Sequence, residues 1–363
     1  MRPIVAPHIE SLQPYVPGKP IEETEREYGI SGVIKLASNE NPLGPSPLAR
    51  AALERAVGEV HLYPDGSNRA VIRRLASFLG VAPEQVFVGH GSNEIIELII
   101  RTLTVPSDEA LICKGSFLMY KVALQAHGRP FVEVPMQDGF RYDLKAMAAR
   151  VTSRTRLVFL ANPDNPTGTA FGRGELEAFL ARVPPECFVV LDEAYFEYVS
   201  WSEYPNGLDY LPHMPNLVVL RTFSKIYGLA GIRLGYGVMR PEVCAYLHRT
   251  RMPFNVSSLA QVAGCAALDD VEHVRTTRET THRGLAYLEE QLPKLGVQVP
   301  HSYANFVFAD LGRPAHPIYE LLLRRGVITR PVPGYGFPNA LRISVGLRAQ
   351  NERLVRALKE VLA

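Results

Sequence analysis

Short apolar runs recur along the middle of the chain, at Val86–Val88, Leu111–Cys113, Leu157–Leu160, Phe188–Leu191, Leu217–Leu220 and Tyr236–Met239. Stretches of helical period separate them. A strand that is apolar at every position has both faces buried. Such strands, alternating with helices, predict a largely parallel sheet covered on both sides. The pattern holds from about residue 34 to 250 and changes near Met252–Pro253. Beyond that point a long helical stretch runs through Leu268, Arg283 and Leu288. Strands are then expected near Phe306–Phe308 and Leu341–Val345, around a helix at Ile318–Arg324. The first 30 or so residues are proline-rich, then acidic and helical in pattern, and too short to fold alone. The expectation is an α/β protein: a large domain over 31–252, with 1–30 and 253–363 combining into a small α+β domain.

With 363 residues, one large or two moderate domains are expected. The 39 basic and 37 acidic residues leave a net charge of +2, which offers no bulk attraction for nucleic acid or an anionic membrane. Cys113, Cys187, Cys244 and Cys265 are widely spaced and form no CxxC pair, so neither a disulfide framework nor a zinc site is expected, and a reducing cytoplasm fits. No signal-peptide core opens the chain, and no segment reaches the ~18 apolar residues of a membrane helix.

In an open parallel sheet, ligands sit at the carboxyl ends of the strands. Four motifs fall there. VFVGHGSNEII (86–96) runs from strand through glycines into a helix, and the N–H groups of Ser92, Asn93 and Glu94 would face an anion; an ordinary capped helix explains the motif equally well. LANPDNPTG (160–168) reads as a plain loop, but an asparagine held between prolines, Asn165, is a well-fixed hydrogen-bond donor. CFVVLDEAYFEY (187–198) puts Asp192 at the end of a wholly apolar strand, where a carboxylate is costly unless it meets a cation; the competing reading is a helix cap. Tyr195 would lie on the same side if the chain turns helically. TFSKIYGLAGIRLGY (222–236) places Lys225 in an apolar, glycine-rich run beside Thr222, Ser224 and Arg233. A snorkelling surface lysine is the bland reading, but the hydroxyls and the arginine form a second set of phosphate donors.

One ligand answers all four: it carries a phosphate, an aldehyde for a lysine amine, and a ring cation for an aspartate. Pyridoxal 5'-phosphate has these three parts. On this reading Lys225 joins the aldehyde, Asp192 meets the pyridinium nitrogen, and Asn165 and Tyr195 bond the ring hydroxyl.

The chain resembles the fold-type-I pyridoxal-phosphate aminotransferases, and within them the histidinol-phosphate aminotransferase branch. NPDNPTG (162–168), LDEAY (191–195) and FSKIYGLAGIRLGY (223–236) in that order mark the superfamily. PYVPGKPIEE (14–23) and KLASNENPLGPSP (35–47) narrow it, with YPDG, TRPVPGYG and LRISVG in support. The resemblance implies that Lys225, Asp192 and Tyr195 are catalytic and that Phe117 stacks on the cofactor ring. It implies that Tyr63 reaches the cofactor phosphate of a second subunit, which requires a homodimer. It also implies that Arg330 and Arg342, with Tyr15 and Asn165, hold the substrate. The family commonly has Asp at the position of Asn93 and Asn at that of Asp164. The implied reaction converts histidinol phosphate and 2-oxoglutarate to imidazole acetol phosphate and glutamate, by a ping-pong route. An aromatic amino-acid aminotransferase is the nearest alternative. A decarboxylase of a phosphorylated amino acid and a non-enzymatic regulator that binds the cofactor are more distant; the regulator would need a DNA-binding domain that the sequence does not suggest.

Overall fold

The computed structural model describes residues 4–13 and 17–363. Its strands are β1 (Ile34–Lys35), β2 (Val86–Gly89), β3 (Glu109–Cys113), β4 (Phe131–Val134), β5 (Thr155–Ala161), β6 (Phe188–Asp192), β7 (Leu217–Thr222), β8 (Gly235–Val238), β9 (Phe306–Asp310), β10 (Val327–Ile328), β11 (Arg330–Val332) and β12 (Phe337–Ser344). A 7-stranded sheet runs in the order β2-β8-β7-β6-β5-β3-β4. Its strands are parallel except β8, which is antiparallel to both neighbours.

The two-sided burial read from the sequence is visible residue by residue. Leu157, Phe159, Val190, Val218 and Leu220 join one core cluster with the helix Ser92–Leu103. Their alternates Val158, Leu160, Val189, Leu191, Leu217 and Val219 join another on the opposite face, with the helix Arg173–Leu180. This is the period-2 alternation of a strand, with apolar groups on both sides.

Three departures from the expected elements have physical causes. The edge strand β4 has a mostly half-buried sequence, FVEV, that lacks the all-apolar signature of its neighbours. The single long helical stretch after residue 253 is two helices, Ser258–Ala267 and Val271–Gln291. Asp270 divides them: its Oδ1 caps the second helix by accepting from the His273 N–H at 3.2 Å, and its Oδ2 accepts from Ser46 Oγ at 2.6 Å. The short strands β1, β10 and β11 are too brief to carry a period.

β11, β12 and β9 form a 3-stranded antiparallel sheet. Helices Ala315–Arg324 and Arg348–Leu362 and the end of Val271–Gln291 cover it in a separate core cluster. The amino-terminal part of the chain is tied to this region. β1 pairs in parallel with β10, and Leu36 both donates to Ile328 O at 2.7 Å and accepts from Ser344 N at 2.9 Å. Helix Ser258–Ala267, by contrast, packs with Pro47–Ala56 and Arg69–Leu79 in a cluster that includes Val86 and Val88 of the large sheet.

Candidate active site

The carboxyl ends of β2, β5, β6 and β7 lie along one edge of the large sheet, and the chain segments leaving them surround a cavity of about 270 Å³. Its walls include Ser92, Asn93, Phe117, Asn165, Asp192, Tyr195, Thr222, Ser224, Lys225 and Arg233. The four motifs, scattered over more than a hundred residues, therefore meet in one place. A second cavity of about 320 Å³ shares Asn93, Phe117, Asn165 and Lys225 with the first and continues to Arg330 and Arg342.

The anion-binding end is built by close backbone approach. Helix Ser92–Leu103 begins directly against β8: a Cβ on Gly235 would stand 2.4 Å from the Ser92 nitrogen, so only glycine fits there. Gly91, at φ +76°, lets the Arg233 guanidinium lie against the start of the helix, where a Cβ would be 2.6 Å from its Nη2. Arg233 is itself in the left-handed region, at φ 60°, and its Nη1 donates to Ala230 O at 3.0 Å. The Ser224 N–H donates to Thr222 Oγ1 at 3.1 Å. The result is a helix amino end, two hydroxyls and a guanidinium facing one volume, as a phosphate group needs.

Asp192 is the last residue of β6 and is buried. Its Oδ2 accepts from the Tyr120 hydroxyl at 2.8 Å and its Oδ1 from Ala194 N at 3.2 Å. Burial pushes its carboxyl up to about 6, opposed by the Tyr120 hydrogen bond. Neither hydrogen-bond partner is a cation, so a protonated ring nitrogen in the cavity would complete the site. The next residue, Glu193, points elsewhere: it is wholly buried against Arg221, whose Nη2 lies 2.7 Å from its Oε2. Strand alternation thus separates two adjacent acids, one to the cavity and one to a structural ion pair.

Lys225 follows β7 and faces both cavities. Burial, reinforced by the cations of Arg342 and Arg233, lowers its amine to about 8. Its Nζ is 5.8 Å from the centre of the Tyr195 ring. The Tyr195 hydroxyl accepts from Asn39 Nδ2 at 2.9 Å, which directs the phenol's own hydrogen away from Asn39. Burial raises the Tyr195 pKa above its ordinary value.

On the far side, Arg330 and Arg342 are directly paired across β11 and β12. Opposed residues of an antiparallel pair project from the same face, so the register itself brings both arginines to the second cavity. Arg342 is 7% exposed; it donates to Asn165 Oδ1 at 2.8 Å and to Ala37 O at 2.7 Å. Its Nε is buried and has no hydrogen-bond partner among the described residues, a donor left for a ligand.

Glu94 does not line the cavity; its carboxylate accepts from His90 N at 2.5 Å and Asn255 Nδ2 at 2.9 Å and so braces the loop before the helix. Its backbone N–H remains in the helix's first turn. Tyr63 is 83% exposed and stacks on Phe254, with ring centroids 4.7 Å apart, outside its own chain's cavity. Tyr15 lies outside the described residues. Sequence reasoning missed Tyr120 and Asn39. Tyr120 stands in the first turn of the helix Leu118–Ala126, three residues after Phe117, where a buried tyrosine reads in sequence as ordinary core. Asp164, where the family commonly has Asn, is buried and accepts from Ser116 Oγ at 2.5 Å and Thr167 Oγ1 at 2.8 Å, which shapes the loop presenting Asn165.

The residues present fit pyridoxal phosphate: an anion cradle, a buried carboxylate with no cationic hydrogen-bond partner and a lysine of lowered pKa share one cavity. Comparison with known proteins points the same way. The pattern of the family "aminotransferase class I and II" matches residues 31–358. A histidinol-phosphate aminotransferase of Anaeromyxobacter sp. (strain Fw109-5) is 56% identical over 99% of both chains. One of Moorella thermoacetica is 49% identical over 98% of this chain and 92% of its own. Among solved structures, the Sinorhizobium meliloti histidinol-phosphate aminotransferase in complex with pyridoxal-5'-phosphate superposes with a TM-score of 0.91 at 30% identity, over 100% of this chain and 98% of that one. The aspartate aminotransferase of Thermus thermophilus, 22% identical, shares the fold with a TM-score of 0.82 over 98% of this chain and all of its own. The protein is a pyridoxal-phosphate-dependent aminotransferase of fold type I, and the chain belongs to the class I and II aminotransferases and, within them, to the histidinol-phosphate aminotransferases.

Proposed function

We propose that the chain moves the amino group of L-histidinol phosphate to 2-oxoglutarate, giving imidazole acetol phosphate and L-glutamate, a step of histidine biosynthesis. The observation that carries this reading is the pairing of Arg330 with Arg342 across β11 and β12, at the end of the cavity that continues from Lys225. Two cations in register suit the phosphate of one substrate and the side-chain or α-carboxylate of the other. An aromatic amino acid offers one carboxylate and has no use for a second cation.

Placement supports the following residue roles. Ser92 and Asn93, with Thr222, Ser224 and Arg233, hold the cofactor phosphate, together with the N–H of Glu94. Phe117 covers a face of the ring, Asp192 meets its nitrogen, and Asn165 and Tyr195 bond its hydroxyl. Pyridoxal phosphate, when bound, supplies an aldehyde that carries the amino group and a cationic ring that accepts the electrons of the broken Cα–H bond. Lys225, with its amine at about 8, supplies a neutral base near physiological pH that takes the Cα proton and returns it. Asp192 holds the ring proton in place by its negative charge. Arg330, Arg342 and Asn165 orient the substrate so that its Cα–H faces Lys225.

The same reading includes a homodimer. Tyr63 stands on an exposed apolar strip with Val57, Val60, Leu62 and Phe254, a surface suited to a second copy of the chain, whose cofactor phosphate Tyr63 would reach. It also includes two domains, with helix Ser258–Ala267 siding with the large one. No helix among the described residues is long and apolar enough to cross a membrane, and the four cysteines are unbridged, which suits a reducing cytoplasm. A panel of amino donors tests the substrate: kcat/KM for histidinol phosphate should exceed that for phenylalanine and tyrosine, and the reverse order would move the chain to the aromatic aminotransferases.

A further inference from the structure

Tyr120 touches both groups expected to meet the cofactor ring, yet it does not line the cavity. Its hydroxyl donates to Asp192 Oδ2 at 2.8 Å. Its ring meets Phe117 edge to face, with centroids 5.3 Å apart and planes at 84°. The ring also stacks on Phe159 of β5, at 4.8 Å and 17°. It is 1% exposed, held by helix Leu118–Ala126. A phenol in this position has one proton to give, and it gives it to the carboxylate.

We propose that Tyr120 is a positioning residue for this site: its hydroxyl fixes the rotamer and ionised form of Asp192, and its ring sets the plane of Phe117. A carboxylate turns easily about its Cβ–Cγ bond. Ala194 N holds one oxygen at 3.2 Å, a long bond. The Tyr120 hydroxyl holds the other at 2.8 Å and closes the remaining freedom. A hydroxyl donor also favours the carboxylate over the neutral acid, and burial works in the opposite direction here. The largest influence favouring the charged aspartate is thus a residue that does not line the cavity the ring would occupy. The proposal rests on the reading that Asp192 meets the nitrogen of pyridoxal phosphate.

A double-mutant cycle tests it. Tyr120→Phe keeps both ring contacts and removes one oxygen; Asp192→Asn keeps shape and removes the charge. The purified holoenzymes are compared by equilibrium dialysis of pyridoxal phosphate and by steady-state kinetics. Tyr120→Phe should weaken cofactor binding about 10–100-fold, the scale of one hydrogen bond to a charged group. It should lower kcat while KM for the amino donor stays within about twofold, because Arg330 and Arg342 are untouched. In the Asp192→Asn background the same change should cost no more than about twofold. Equal losses in both backgrounds would mean that Tyr120 acts by packing and would overturn the proposal, as would unchanged binding in Tyr120→Phe. If Asp192→Asn binds cofactor like the wild type, the role given to Asp192 fails, and the role of Tyr120 fails with it.

Discussion

The lowered pKa of Lys225 has a consequence that can be measured before any substrate is added. At pH 7 a lysine at the ordinary value of 10.5 is neutral in about one molecule in 3,000; at about 8 it is neutral in about one in ten, a gain of roughly 300-fold in reactive amine. Burial is the largest cause and the Arg342 cation the next, while Glu40 and Asp192 pull the other way. The cofactor-free protein mixed with pyridoxal phosphate in a stopped-flow cell should therefore capture it at a rate that rises with pH through about 8 and then levels. Replacing Arg342 by Met removes a like charge and should move the midpoint upward. It should stay below 10.5, because burial remains. Circular dichroism across the same pH range checks that the fold is intact. A wild-type rate still climbing at pH 10 would refute the account, since the amine would then be behaving as if in water. A midpoint unmoved in Arg342→Met would strike Arg342 from the causes and leave the shift to burial and Arg233.

Other perturbations address separate parts of the site. Asp192→Asn should lower kcat by roughly 10²–10⁴, the scale of one strong electrostatic or proton-transfer contribution, and near-normal turnover would mean that another residue meets the ring nitrogen. Arg330→Ala should cost histidinol phosphate roughly 10–100-fold in kcat/KM and phenylalanine far less; equal losses would give Arg330 a role in the fold. Mixing Tyr63→Phe with Lys225→Ala subunits should restore activity above the sum of the parents, because one of the two shared sites is then free of both lesions; no recovery on confirmed mixing counts against shared sites. Arg221→Met leaves Glu193 buried without its cation and should lower unfolding stability by about 3–5 kcal/mol in denaturant titration, with the catalytic cavity unaltered.

The central sheet was legible because its strands announce themselves twice, by β-branched composition and by burial on both faces. Leu157–Leu160 and Phe188–Leu191 extend by three residues and by one in β5 and β6. The edge strand β4 lost that signal because one side of an edge is wet, and its Glu133 is paired with Lys121 at 3.0 Å. Candidate site residues were legible where chemistry was out of place in an apolar run, as with Lys225 and Asp192, which the structure brings to one cavity. Tyr120 offered no such contrast: a tyrosine in a buried helix is unremarked until its hydroxyl is seen on a carboxylate 72 residues away.

Arg330 and Arg342 show a further limit. By composition and spacing each is one more arginine beside a strand; the family resemblance named them together, and the antiparallel register sets them opposite each other. That register is held from elsewhere. β12 pairs with β9 from Ala340 to Ser344, and Ser344 is bound in turn through its N–H to Leu36 and through its hydroxyl to Asn39. Asn39 also donates to the Tyr195 hydroxyl. The strand that carries Arg342 and the tyrosine beside Lys225 therefore share one hydrogen-bonded residue. A slip of β12 by one position would turn Arg342 to the opposite face of its strand and break the Asn39 contacts together. Placing the arginine proposed to hold substrate and placing the tyrosine proposed to meet the cofactor ring are thus one structural requirement, met by a buried asparagine in the left-handed region at φ 56°.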